Sequence, residues 1–137
     1  MTDRDLVAKK LSRIVTCLHQ LRTLASVDRL RDDVREERFI EHTLQIAIQS
    51  ALDVASHIAS DLRLGEPETN RALFQLLARS GTITTDLSRR LSDMAGFRNV
   101  LVHGYDDLQL EIVEDVVRNH LGDLDEFVAS VGRHLAK

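Results

Sequence analysis

Cysteine, proline and aromatic residues are all scarce in this chain, and each scarcity closes off a class of protein. Cys17 is the lone cysteine among 137 residues, so no disulfide can form within the chain and no cysteine metal cluster is possible. A buried helix residue in a reducing compartment is the expectation for Cys17. With aromatics at 4%, one proline and six glycines against 43% apolar residues, the chain is poor in strand formers and loop formers alike. Such a composition favours helices. No apolar run approaches the roughly 20 residues of a membrane span, and the opening MTDRDLVAKKLSR lacks the apolar stretch of a secretory signal, so a cytoplasmic protein away from membranes is expected. Basic charge is not in excess either. The net charge of -4 argues against a nonspecific nucleic-acid coat, DNA included, which needs many phosphate-neutralising cations; any RNA contact must be local. Fifteen of the eighteen basic residues are arginine, a bias open to two readings, bidentate phosphate contacts or genomic codon usage.

What is present is helical periodicity. Val7, Leu11, Ile14, Leu18, Leu21 and Ala25 alternate spacings of four and three, the stripe of an amphipathic first helix that Thr2, three residues before Asp5, can cap. A charged turn follows, and a second helix over 34–62 carries Ile40, Leu44, Ala47, Ala51, Ala55, Ile58 and Leu62, widened by Ile48, Leu52 and Val54. So wide an apolar face predicts contact with more than one neighbour. Gly65 and Pro67 mark the clearest loop. A short helix over 68–79 buries Leu73, Phe74, Leu76 and Leu77, and a fourth helix capped within 82–85 has Leu87, Leu91, Met94 and Leu101 as its stripe, with Gly104 as its stop. The last helix, over 107–135, is capped by Asp106 with Gln109; Gly122 hints at a kink, but the stripe keeps register across it, so one axis is expected. The reading is one all-α domain over 1–137, a bundle of four long helices and one short one.

Arg98 is the departure from this pattern, falling in the middle of the fourth helix's apolar stripe. An unpaired guanidinium there is costly, so Arg98 pairs with an acid such as Asp53 or Asp61, reaches water in a cleft, or lies at an interface. His103 sits where the negative end of the helix dipole favours the imidazolium; it reads as a general acid or as a capping or surface residue. Five residues separate Arg98 from His103, a splay of about 140°, whereas Asn99 and His103 share a face. Convergence needs a distorted last turn, the reach of the arginine, or a second copy of the chain. The other histidines, His19, His42, His57, His120 and His134, lack the spacing of a zinc-binding helix, so no metal or other cofactor is expected.

The run Arg98-Asn99-Val100-Leu101-Val102-His103-Gly104-Tyr105 matches R-x-x-x-x-H-x-Y, and with its flanks MAGFRNVLVHGYDDL and its helical frame the chain resembles the HepT-like toxins of the HEPN superfamily. The resemblance implies a HEPN-type helical bundle and a metal-independent ribonuclease whose site forms between two protomers. It implies His103 as acid or base and Arg98 as the phosphate clamp, with RNA supplying its own 2′-hydroxyl nucleophile. Asn99 then either orients the imidazole or substrate, or is a surface residue. For Tyr105, otherwise a helix-end tyrosine, it implies an acceptor of AMP from an MntA-type nucleotidyltransferase antitoxin. The expected assembly is a homodimer, with higher assembly around the antitoxin. The competing reading is a HEPN module without catalysis that binds a nucleotidyltransferase or its substrate. The wide face of the second helix and the fourth-helix face near Arg98 are the expected interface.

Overall fold

The computed structural model describes residues 3–103 and 107–137, with the side chains of all of these but 102, 103 and 107–109. It is all-helical: α1 (Arg4–Thr23), α2 (Val34–Asp61), α3 (Asn70–Arg79), α4 (Thr85–His103), α5 (Asp107–Asn119) and α6 (Leu121–Leu135), with a 3-10 turn at Val27–Arg29. Asp3 rather than Thr2 caps α1, its carboxylate accepting from the Leu6 amide at 3.1 Å; Thr2 lies outside the described residues. A carboxylate satisfies an orphan amide and favours the positive helix end at once, an advantage a threonine hydroxyl lacks. Asp33 caps α2 in the same way, accepting from the Arg35 amide, and the hydroxyls of Thr69 and Thr84 cap α3 and α4, accepting from the Ala72 and Leu87 amides. The expected glycine stop at Gly104 and the capping residue Asp106 lie outside the described residues, as does the side chain of Gln109.

Helix α2 is the axis of the bundle. Its apolar residues bury around most of its circumference, Ile40, Leu44, Ala47, Ile48, Ala51, Leu52, Val54, Ala55 and Ile58 among them, because α1, α3 and α4 all pack on it. The expectation of several neighbours holds. Most of that apolar face is taken up by neighbours within the chain, with Val34 and Leu62 at the two ends of α2 left exposed. Cys17 is buried on α1 against this core, and burial pushes its thiol above the ordinary range.

The last helix is two helices. His120, with φ -125° and ψ 2°, leaves the helical region and separates α5 from α6, two residues before Gly122. Its amide still closes α5 on the Val116 carbonyl at 2.9 Å. Its ring faces Asp115 at 3.1 Å and Asp123 at 3.6 Å. Stripe register survived because one residue out of helix redirects the axis without changing which face meets the core: Val113, Val116 and Val117 are buried before the break, Leu121, Leu124 and Phe127 after it. Helix α6 packs on α1 and α4, while α5 is tied down by Arg31 to Glu114 and Arg118 to Asp28. Among the described residues no helix is long and apolar enough to cross a membrane.

Candidate active site

Helix α4 holds the motif. Thr84 starts it, Leu87, Leu91, Met94 and Leu101 bury toward the core, and α3 packs against it as an antiparallel hairpin partner, with Arg71 near the start of α3 lying beside Ser92 midway along α4. Arg98 falls between buried Met94 and buried Leu101, as its spacing predicts, and is itself half-buried. Its Nε is buried and makes no hydrogen bond among the described residues. Asp53, one of the two acids expected as its partner, is engaged elsewhere. Asp53 turns to α1 and its own helix, bonded to Lys10 Nζ at 2.9 Å and Gln49 Nε2 at 2.8 Å, because α1 lies along that side of α2. Asp61, half-buried in the last turn of α2, has a partner of its own.

Leaving a guanidinium N–H without an acceptor in an apolar stripe costs on the order of 1–3 kcal/mol, which stability alone does not repay. Asn99 is exposed one residue further on. His103 is the last residue of α4, and its side chain, like all of Tyr105, lies outside the described residues. Helix α4 continues through His103, so a distorted last turn does not supply the convergence expected of Arg98 and His103. Reach of the long arginine and a second protomer remain as the routes to convergence.

A cavity of about 230 Å³ lies on a different flank of α4. Met94, Phe97, Ile112 and Val116 make an apolar floor, and Asp93, Asp115 and Asp123 crowd the rim with Arg90 as counter-charge. Arg90 is already committed to Asp86, Asp123 and Glu126, so this rim repels phosphate. Among the described residues no group of three or more histidine, cysteine or acidic side chains stands together to hold a metal.

The model of the family described as "Ribonuclease HepT-like" matches residues 11–131. The chain belongs to the HepT-like ribonuclease family. Within that family it is 33% identical over 125 residues to the mRNA nuclease HepT of Shewanella oneidensis, covering 90% of this chain and 94% of that one. It is also 34% identical over 83 residues to the tRNA nuclease HepT of Aphanizomenon flos-aquae, covering 61% and 56%. A solved structure of the tri-AMPylated Shewanella oneidensis HEPN toxin in complex with MNT antitoxin superposes with a TM-score of 0.87 at 31% identity, over 97% of this chain and 99% of that one. The fold is therefore the HEPN helical bundle. The HepT-like motif was legible in the sequence; the unpartnered Nε of Arg98 was not, since pairing depends on which helix lies opposite.

Proposed function

We propose that this HepT-like chain is a metal-independent ribonuclease toxin, a single cytoplasmic domain acting as a homodimer, with His103 as acid and base and Arg98 on the scissile phosphate. One observation carries the reading: Arg98 keeps a buried Nε without a hydrogen-bond partner among the described residues, at the first position of an intact R-x-x-x-x-H-x-Y motif. A guanidinium set in an apolar stripe has no evident use in a binding module without catalysis, whereas a phosphate taken by its outer nitrogens gives it one. Family membership and the nuclease names of its relatives support the same conclusion.

The chemistry needs no group from outside. One His103 takes the proton of the 2′-hydroxyl as its oxygen bonds to phosphorus; the other His103, from the second protomer, gives a proton to the 5′-oxygen as the P–O bond breaks. Arg98 holds the charge that accumulates on the phosphoryl oxygens, bidentate and in a site of low polarity. Asn99, exposed on the face of position 103, orients the imidazole or the ribose. An MntA-type nucleotidyltransferase is the partner, and AMP on Tyr105 is the off state; the solved complexes of HEPN toxin with MNT antitoxin support this pairing. Purified protein is expected to cleave RNA in excess EDTA, and His103→Ala to abolish cleavage and relieve growth arrest with unchanged helical circular dichroism. Cleavage lost on chelation and restored by magnesium, or a fully active His103→Ala, overturns the assignment.

A further inference from the structure

A second arginine lies on the side of α4 that Arg98 leaves bare. The backbone carbonyl of Arg71, near the start of α3, accepts from the Ser92 hydroxyl at 3.2 Å. From that anchor the side chain runs along α4 toward its C-terminal end and lies across Gly96: a Cβ at position 96 would collide with Nη2 and stand 3.0 Å from Cζ. Only glycine lets the guanidinium lie this close to the helix. Ser92 and Gly96 are four residues apart and on one face, and position 103, seven residues past Gly96, returns to within about 20° of the same azimuth roughly 10 Å further along the axis. Asn99 falls beside that line, about 60° from Gly96. Arg98, two residues past Gly96, points some 160° away. Arg71 therefore shares the flank of position 103, and Arg98 does not.

The guanidinium is held but not used up. Its only ion-pair partner among the described residues is Asp93, at 3.5 Å, and both side chains are open to water, 56% and 75% exposed. So long and exposed a pair contributes little to stability. A guanidinium seated on a bare glycine and spent on so weak a bond is free to take a ligand bidentately. We propose that Arg71 is a substrate-binding residue that grips an RNA backbone phosphate away from the scissile one, guiding the strand along the Ser92–Gly96–Asn99 flank of α4 toward position 103. The inference rests on the ribonuclease reading above and extends it to how substrate is held. With a net charge of -4, affinity must come from a few placed cations, and Arg71 is one of them.

The test is binding of a fluorescently labelled single-stranded RNA to the full-length His103→Ala protein, by anisotropy over a range of salt concentrations, with Arg71→Ala, Arg71→Lys, Gly96→Ala and Asp93→Asn added in turn. Arg71→Ala is expected to weaken binding about 5- to 10-fold and to lower the slope of log affinity against log salt by about 0.7, one phosphate contact on a single strand. Arg71→Lys should keep the slope. Gly96→Ala should weaken binding although Arg71 is present, and Asp93→Asn should tighten it about 2- to 3-fold by freeing the guanidinium. Thermal midpoints should stay within about 2 °C of the parent, separating this from a structural role. Unchanged affinity and slope in Arg71→Ala overturn the proposal while leaving the nuclease assignment standing. Arg71-dependent binding without any cleavage by the wild-type chain supports it and removes the nuclease assignment instead.

Discussion

Arg90 of α4 donates to Asp123 of α6 at 2.6 Å and to Glu126 at 2.6 Å, joining the motif helix to the helix that starts after the His120 break. The bonds to Glu126 and Asp123 hold the guanidinium charged well beyond its ordinary range. The two acids differ in surroundings: Asp123 is 7% exposed, whereas Glu126 stands in solvent. Asp123→Ala is expected to cost about 1–2 kcal/mol, a loss of roughly 3–8 °C in thermal midpoint, because it takes a charge-assisted bond from a largely dry site. Glu126→Ala should cost less than about 1 kcal/mol. Thermal melts that rank the two equally, or the other way round, contradict the view that Asp123 anchors α6.

Arg98→Met is expected to raise stability while destroying activity. The unbranched methionine keeps the apolar stem of the arginine in its stripe and removes the Nε that finds no partner. A gain of about 2–6 °C in thermal midpoint should accompany loss of RNA cleavage. A lower midpoint would mean that the guanidinium is paired within the fold, and its role would then be structural.

Glu41 predicts a pH dependence. Burial on α2, and after it the like charge of Glu37, raises its carboxyl above the ordinary carboxylate range. A carboxyl with a raised folded pKa binds its proton more tightly in the folded state, so the associated stability is present below the unfolded pKa and is lost as pH rises through the folded one. Glu41→Gln should therefore melt higher than wild type at about pH 7 and level with it at about pH 3.5. A gain of equal size at both pH values would point to packing rather than to ionisation.

Tyr105→Phe tests the control of the proposed toxin. Incubated with ATP, magnesium and the cognate nucleotidyltransferase, the wild-type chain is expected to gain AMP on Tyr105 and to lose cleavage, since each AMP brings a negative phosphodiester beside the phosphate site, where screening is weak. The phenylalanine variant should fold, dimerise, cleave and resist neutralisation. Intact-protein and peptide mass spectrometry decide the matter: AMP found only on other residues, or complete modification of Tyr105 with undiminished cleavage, removes this mechanism.

Periodicity carried the helices because it is a local property. Alternating spacings of four and three in α1, and the wide stripe of α2, define faces whatever they pack against, and the motif of α4 is a contiguous string that identifies its family without a fold. Which face meets which helix is a long-range matter. Asp53 bonds Lys10 rather than Arg98 because α1 lies on its side of α2, and most of the wide face of α2 is taken up by α1, α3 and α4. The break at His120 was hidden for a related reason: stripe register reports the buried face and is blind to one residue leaving the helix. Gly96 carries a spacing signal only as a small residue before an aromatic. Its meaning, a seat for the Arg71 guanidinium beside the line to His103, exists only once α3 folds back along α4, since twenty-four intervening residues separate Arg71 from Gly96 in the chain and no local pattern links them.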